Sequence, residues 1–95
     1  MSHGQPRVSI VMPAYNAGQY IGATINSVLR QSETDWELIV VDDCSTDDTR
    51  DKVSALAKSD SRIRLIALEK TFGGPAGPRN VGIRSARADL VAFLD

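Results

Sequence analysis

Apolar residues in this chain fall into four short runs, at residues 7–13, 36–41, 62–68 and 90–94. The runs are rich in Val, Ile and Leu, and the first is closed by a proline. Short apolar runs of this kind are typical of strands buried on both faces of a parallel sheet. We therefore predict one strand in each run.

The segments between the runs carry apolar residues at helical spacing. Residues 19–31 place Ile21, Ile25 and Val28 on one face of a first helix. Asn16 is a residue type that commonly starts helices, so we expect the first helix to be capped there.

Two further helices follow. Ser45 is the expected N-cap of the second, with Asp47 and Asp48 favoured in its first turn by the helix dipole. The third follows a glycine-rich loop at residues 73–77, with Pro78 in a first helical position, and runs to about residue 88.

The order β-α-β-α-β-α-β predicts an α/β fold, a Rossmann-like parallel sheet covered by helices. Ligands of such sheets bind beyond the carboxyl ends of the strands, where the strand order reverses. With an assumed strand order of 3-2-1-4, residues 13–16 and Asp95 flank one crevice, and Asp42 and Asp43 lie one strand away.

Sequence motifs restrict the class of ligand that this edge could bind. The turn after the first strand, "PAYNAGQY", has one glycine and lacks the G-x-G-x-x-G of dinucleotide sites. The later "GGPAGPRN" lacks the Lys-Ser/Thr of a P-loop. A carboxylate-rich site suits hydroxyl and N–H donors and hard cations. A nucleoside diphosphate held through Mn²⁺ or Mg²⁺ meets these conditions, with Arg79 adding positive charge.

Composition excludes other classes of function. A net charge of −1 and 5% aromatic residues argue against nucleic-acid binding. Cys44 is the one cysteine, which excludes a disulfide framework and favours a reducing, cytoplasmic setting. No apolar run approaches the roughly 20 residues that span a bilayer. Trp36 is expected to pack at a strand start, and four arginines are expected to be solvated: Arg62, Arg64, Arg84 and Arg87.

Four motifs occur together at characteristic separations: P-x-Y-N, V-D-D-x-S-x-D, G-x-x-x-x-R-N-x-G and F-L-D. In this combination the chain from Arg7 onward resembles the opening of family 2 glycosyltransferases with the GT-A fold. The resemblance implies that Pro13, Ala14 and Tyr15 line a nucleoside pocket, with Tyr15 near the base. It also implies that Asp43 hydrogen-bonds the base.

Asp42 and Asn16 are expected in the same nucleotide-binding region. The resemblance implies that Arg79 and Asn80 lie near the phosphates, and that Asp95 opens a D-x-D region that holds Mn²⁺ or Mg²⁺.

The activity implied is transfer of a sugar from a nucleotide-diphospho-sugar, by default a UDP-sugar, to a glycan or lipid-linked acceptor, with inversion. The base carboxylate is expected downstream, so no catalytic residue is assigned. We expect residues 1–6 to be a disordered tail and residues 7–95 to be the nucleotide-binding part of a larger protein at the cytoplasmic membrane face. The last strand's exposed edge favours self-association.

Two other functions remain open from the residues alone. Phosphoacceptor receiver modules also end a strand in paired aspartates, but their pair follows the first strand, whereas here a complete βα unit precedes it. A nucleotidyltransferase domain would share nucleotide binding, but it normally has a glycine-rich, basic turn after the first strand.

Overall fold

The computed structural model describes residues 5–71 and 76–94 as a sheet flanked by helices. Residues 1–4 of the predicted tail, residues 72–75, which include the first part of the glycine-rich loop, and the predicted metal ligand Asp95 lie outside the described residues. The elements are β1 Val8–Ala14, α1 Ile21–Leu29, β2 Trp36–Asp42, α2 Thr49–Ser59, β3 Ile63–Ala67, α3 Ala76–Ser85 and β4 Leu90–Phe93.

The four strands form one parallel sheet in the order β3-β2-β1-β4, which confirms the assumed 3-2-1-4 order. β1 and β2 pair along their whole length, from Val8 opposite Trp36 to Ala14 opposite Asp42. Because the first residues of β1 and β2 lie opposite each other and so do the last, the two strands end side by side. The predicted α/β class is therefore confirmed.

β2 is the central element, and all seven of its residues are buried. Successive residues of a strand point to opposite faces, so β2 supplies side chains to both. On one face Leu38 and Val40 join a cluster with Ile21, Ile25 and Val53 from α1 and α2. The other face is covered by α3, which contacts β1 and β2.

The helix starts differ from the predicted ones. α1 begins at Ile21 after Tyr20, and Asn16 lies in the preceding loop with a φ of 47°. α2 begins at Thr49 after Asp48, so Ser45 is not its N-cap. Both predicted caps were wrong because these side chains bond between loops instead of to their own helices.

The third predicted helix also starts elsewhere. α3 begins at Ala76, so Pro78 occupies its third position, and the helix ends at Ser85 instead of about residue 88. Arg87 and Ala88 instead form the connection to β4, and their backbone N–H groups are hydrogen-bonded.

A buried carboxylate, Glu37, lies at the amino end of β2 and is 4% exposed. It accepts hydrogen bonds from Ser9 Oγ at 2.5 Å, from the Arg87 N–H at 2.7 Å and from Arg64 Nε at 3.1 Å. Burial raises the pKa of Glu37, but these hydrogen bonds and the Arg64 charge outweigh it and hold the pKa below its ordinary value of 4.5. Arg64 is thus not a solvated arginine.

Trp36, beside Glu37, is 2% exposed, in agreement with its predicted packing role. The guanidinium carbon of Arg62 lies 4.0 Å from the centroid of its ring, and Arg62 also pairs with Asp60 at 2.7 Å. Arg62 is therefore stacked and paired, in contrast to the solvated arginine that was predicted.

We expect Gly82→Ala to destabilise the protein, because a Cβ at Gly82 would lie 2.3 Å from Cγ1 of Val11. Valine is stiff at χ1 and cannot move aside, so α3 must shift, at a cost of about 1–3 kcal/mol. Gly22→Ala in α1 is the matched control, since nothing lies within 4 Å of that Cβ. It should stabilise by up to ~1 kcal/mol through helix propensity. Urea unfolding measures both, and equal effects would contradict this packing.

We expect Glu37→Gln to destabilise the fold by about 3 kcal/mol at pH 7, because it breaks a buried ion pair. The folded pKa of Glu37 is depressed, so its stabilisation is present above the unfolded pKa and is lost as pH falls through the folded pKa. The difference in unfolding free energy between wild type and variant should therefore shrink below about pH 4.

Glu33→Gln is the control for that measurement, since its pair with Arg7 is largely exposed. Its cost should stay below about 1 kcal/mol. A difference between wild type and Glu37→Gln that is constant from pH 7 to pH 3 would contradict the role of the Glu37 charge.

Candidate functional site

The carboxyl ends of β1, β2 and β3 meet at one edge of the sheet, here called the carboxyl edge. The Asp43 N–H donates to the Ala14 carbonyl at 2.8 Å, and the Leu68 N–H donates to the Asp42 carbonyl at 2.9 Å. These bonds continue the strand pairing one residue further. The loops that follow the three strands therefore leave the sheet side by side.

The predicted pocket residues at the end of β1 are placed in sequence along this edge. Pro13 is half-buried and Ala14 is buried, both as the last residues of β1. Tyr15 is the first residue beyond the strand, and 60% of its surface is exposed. Because the Asp43 N–H is hydrogen-bonded to the Ala14 carbonyl, Tyr15 and Asp43 leave the sheet from adjacent strands.

Asn16 connects the β1–α1 loop to the β2–α2 loop. Its backbone N–H donates to Ser45 Oγ at 2.8 Å, and its Oδ1 accepts from the Thr46 N–H at 2.8 Å. Its φ of 47° is a left-handed conformation that asparagine tolerates better than most residues. Its side chain is therefore engaged within the protein.

Three more hydrogen bonds join the β1–α1 loop to the β2–α2 loop and to the start of α2. The Ala17 N–H donates to Thr49 Oγ1 at 2.9 Å, and the Gly18 N–H donates to Asp47 Oδ2 at 3.0 Å. Lys52 Nζ donates to the Gly18 carbonyl at 2.6 Å. The Thr49 hydroxyl donates to Asp47 and, with the backbone N–H groups of Thr49, Gly18 and Asp47 itself, holds the pKa of Asp47 below its ordinary value.

Asp42 is fully buried at the end of β2. Its Oδ1 accepts from Ser45 Oγ at 2.5 Å, and its Oδ2 accepts from the Ser45 N–H at 3.0 Å and from Arg50 Nε at 2.5 Å. Arg50 also donates to the Leu68 carbonyl at 2.8 Å, and its bond to Asp42 raises the pKa of its guanidinium. Both oxygens of Asp42 are thus occupied.

Asp43 is half-buried and differs from its neighbour. Its Oδ2 accepts from Thr71 Oγ1 at 3.2 Å. Its Oδ1 is shielded from solvent and has no hydrogen-bond partner within residues 5–71 and 76–94. An uncompensated carboxylate oxygen costs free energy, so this atom is the acceptor at the edge with capacity left.

Cys44 follows Asp43 with a φ of 61°, a conformation that is uncommon for a residue with a Cβ. Its thiol donates to the Leu68 carbonyl at 3.3 Å, which ties the turn to the end of β3. The two residues with a left-handed backbone conformation thus lie one in each of the joined loops: Asn16 in the β1–α1 loop and Cys44 in the β2–α2 loop.

Arg79 and Asn80 lie in the first half of α3, which starts on the side of the sheet where β3 ends. Arg79 is half-buried, and its guanidinium carbon lies 5.8 Å from the centroid of the Phe93 ring. This contact joins the start of α3 to the end of β4. Asn80 is exposed.

Metal binding was predicted at Asp95, which lies outside the described residues. Among the residues that are described, no three His, Cys, Asp or Glu side chains are grouped so that they could hold a metal ion. The described residues alone therefore do not fit a metal site. In the same part of the chain, no helix is long and apolar enough to cross a bilayer.

Sequence reasoning missed the residues that join the two loops: Ser45, Thr46, Asp47, Thr49 and Lys52. The signal was the density of hydroxyl and carboxylate side chains in "DDCSTDDT". Such side chains satisfy backbone groups in turns as readily as they cap helices.

We expect Asn16→Ala to lose more stability than Asn16→Gly. Both remove the acceptor for the Thr46 N–H, but only alanine resists the left-handed backbone, which costs about 1–2 kcal/mol. Asn16→Asp keeps the acceptor and should stay closest to wild type. Urea unfolding of the three variants tests this order, and an alanine variant as stable as the glycine variant would contradict it.

Solved structures share this fold. Staphylococcus aureus TarS (residues 1–349) in complex with UDP-GlcNAc superposes with a TM-score of 0.86 and 35% identity, covering 94% of this chain and 26% of that one. The mannosyltransferase PcManGT from Pyrobaculum calidifontis, in complex with GDP-Man and Mn²⁺, superposes with a TM-score of 0.78 and 29% identity, covering 92% and 26%. The predicted GT-A type of sheet is thereby confirmed.

Curated relatives are longer than this chain. TuaG of Bacillus subtilis (strain 168) is 47% identical over 95 residues, which are 100% of this chain and 37% of TuaG. The Escherichia coli UDP-Glc:alpha-D-GlcNAc-diphosphoundecaprenol beta-1,3-glucosyltransferase WfgD is 51% identical over 88 residues, which are 93% of this chain and 34% of WfgD. The chain thus spans about a third of the length of these relatives.

The model of the family described as "Glycosyl transferase family 2" matches residues 9–95, nearly the whole chain. That match includes the carboxyl edge, with Tyr15, Asp42, Asp43 and the loops that join them. The resemblance seen in the four motifs is confirmed: this chain belongs to glycosyl transferase family 2.

Proposed function

We propose that this chain binds the nucleotide of a nucleotide-diphospho-sugar for a glycosyltransferase that transfers the sugar to an acceptor hydroxyl. The observation that carries the proposal is Asp43 at the end of the central strand, with one carboxylate oxygen lacking a partner among the described residues. It leaves the sheet next to the exposed Tyr15. Family membership favours this function over a receiver module or a nucleotidyltransferase.

In this proposal, residues at the carboxyl ends of β1 and β2 recognise the base. Tyr15 offers an exposed ring face on which a base can stack. Asp43 offers a carboxylate whose oxygens are acceptors for a base N–H. Pro13 and Ala14 form the wall beneath the base.

Asn16 and Asp42 have a supporting role in this proposal. Both were expected among the nucleotide-binding residues, but their polar atoms are taken by Ser45, Thr46 and Arg50. They hold the two loops at a fixed distance, so that Tyr15 and Asp43 face the base together.

Phosphate recognition falls to the start of α3. The amino end of a helix favours anions, and Arg79 in the first half of α3 adds a positive charge. Asn80 is exposed in the same segment and can donate to a phosphate oxygen.

We further propose Mn²⁺ or Mg²⁺ as cofactor, with Asp95 as one ligand. The support is the Mn²⁺ named with PcManGT and the chemistry of a carboxylate next to a diphosphate. When bound, such an ion neutralises charge on the departing nucleoside diphosphate. The donor is proposed to be a UDP-sugar because the TarS complex contains UDP-GlcNAc.

The acceptor is proposed to be a glycan or a lipid-linked sugar of a cell-envelope polymer. WfgD is named for a diphosphoundecaprenol acceptor, and TarS for poly(ribitol-phosphate). Inversion and a base carboxylate outside this chain remain predictions, as does placement at the cytoplasmic membrane face. Self-association through β4 also remains a prediction, and its position at the edge of the sheet is what such pairing requires.

We expect UDP with Mn²⁺ to raise the melting temperature of the chain. At about 100 times its Kd, a ligand stabilises a protein by roughly 2.7 kcal/mol. GDP and acetyl phosphate serve as comparison ligands. Asp43→Ala should abolish the shift because it removes the base acceptor, as followed by thermal unfolding.

Asp51→Ala is the matched control, since Asp51 is an exposed aspartate in the first turn of α2. Asp47 would be a poor control, because it bonds Gly18 and Thr49. An unchanged UDP shift in Asp43→Ala would overturn the base assignment. Covalent phosphorylation by acetyl phosphate, with no response to nucleotides, would overturn the proposed function.

A further inference from the structure

The segment of α3 and β4, here called the α3–β4 unit, is held to the sheet by few apolar side chains. Within α3 only Pro78 and Gly82 are buried, and no residue of β4 is buried. Leu90 is 64% exposed and Phe93 is 49% exposed. Hydrophobic burial roughly tracks the apolar area removed from water, so it fixes this unit only weakly.

Hydrogen bonds at the amino end of the sheet hold the turn of this unit. Glu37 accepts from the Arg87 N–H at 2.7 Å, and Ser9 Oγ accepts from the Ala88 N–H at 3.0 Å. Arg64 Nη2 donates to the carbonyl of Ser85, the last residue of α3, at 2.6 Å.

Three side chains, here called the amino-edge cluster, make these contacts: Ser9 on β1, Glu37 on β2 and Arg64 on β3. They also bond to one another, through Ser9 Oγ to Glu37 at 2.5 Å and Arg64 Nε to Glu37 at 3.1 Å. The strands β1, β2 and β3 therefore each contribute one side chain to hold the same turn.

The two ends of the α3–β4 unit lie at the carboxyl edge, opposite the anchored turn. Arg79 stands six residues before Ser85, which is ~9 Å along a helix. Its cation–π contact with Phe93, at 5.8 Å from the ring centroid, ties the start of α3 to the end of β4. A helix of this length moves as a rigid body, so displacement of its anchored end displaces Arg79 as well.

We propose that Glu37, together with Ser9 and Arg64, is a positioning residue that sets where Arg79 stands relative to Asp43. The reading of Arg79 as a phosphate contact rests on the proposed function; the anchoring of α3 and β4 does not. Glu37 lies at the amino end of β2, and Asp43 directly follows its carboxyl end, so one strand carries both the anchor and the base acceptor.

The cost of burying a charge supports a positioning role. A buried ion pair is often no more stable than well-packed apolar residues of the same volume. An apolar residue at position 37 could fill the space, but it could not accept the Arg87 N–H or fix the Ser9 hydroxyl. What the carboxylate adds is a defined location for the turn.

Hydrogen exchange tests the anchor without any ligand. In Glu37→Gln, the amides of α3 and β4 should exchange faster by more than the roughly 150-fold that the expected global destabilisation alone gives, while those of β1 and β2 change by no more than that factor. Glu33→Gln, in an exposed pair near the same edge, should change neither. Ser9→Ala removes the acceptor of the Ala88 N–H and the hydroxyl that donates to Glu37, and it serves if Glu37→Gln does not fold.

Ligand affinity separates positioning from general destabilisation. In the presence of Mn²⁺, Glu37→Gln should weaken UDP binding about tenfold and uridine binding less than twofold, as measured by NMR titration. A purely structural role would weaken both ligands by the same factor. In an Arg79→Gln background, Glu37→Gln should have no further effect on the ratio of the two affinities.

The outcomes separate the two proposals. If the wild type binds neither ligand, the proposed function fails, and hydrogen exchange alone decides whether Glu37 anchors the α3–β4 unit. If exchange in α3 and β4 is no more affected than exchange in β1 and β2, the anchor is refuted. If the wild type binds UDP and the UDP-to-uridine ratio is unchanged in Glu37→Gln, the positioning role is refuted.

Discussion

A carboxylate that is fully removed from water must be compensated by the protein, and Asp42 at the end of β2 imposes this constraint on its surroundings. Arg50 supplies the opposite charge, and Ser45 supplies two hydrogen bonds. Each of these partners also bonds another strand end: Arg50 the Leu68 carbonyl after β3, and Ser45 the Asn16 N–H after β1. Compensation of one charge thereby joins the ends of three strands.

This arrangement explains why two adjacent aspartates have different surroundings. Neighbouring residues along an extended chain point in opposite directions. Asp42 points inward and its oxygens are consumed, whereas Asp43 points toward the loop edge and retains an oxygen without a partner among the described residues. The Asp42 carboxylate therefore holds the loops in place, whereas the Asp43 carboxylate retains the capacity to accept a hydrogen bond from a ligand.

The strands could be predicted from the sequence, and with an assumed strand order so could the edge that gathers the acidic residues, because parallel strands and their ligand sites follow general rules. The caps could not. Asn16 and Ser45 are common cap residues, but each found a partner about 29 residues away along the chain. Local preference predicts which side chains bond backbone groups, but it does not predict which segment the fold brings to them.

Glu37 is a second residue whose hydrogen-bond partners could not be predicted from the sequence. A charge in an otherwise apolar strand requires a partner, but the partners are Ser9, Arg64 and the Arg87 N–H, 27 to 50 residues away. Arg64 therefore resembled any solvated arginine in the sequence. Its role became visible only when β3 lay next to β2, with Ile39 opposite Arg64.

β2 thus carries a buried carboxylate near each end, and the two differ in what they need. Asp42 is satisfied by Ser45 and Arg50, within eight residues, and the loop contact between β1 and β2 at the carboxyl edge spans 29 residues. Glu37 is satisfied fully only when the turn at Arg87 reaches the opposite edge. Because non-local contacts carry a larger loop-closure cost and few apolar side chains hold α3 and β4, we expect the half that carries Arg79 to be the easier one to displace. The two halves of the edge are therefore unequal: one is built into the central strand, and the other depends on an anchor at the far end of that strand.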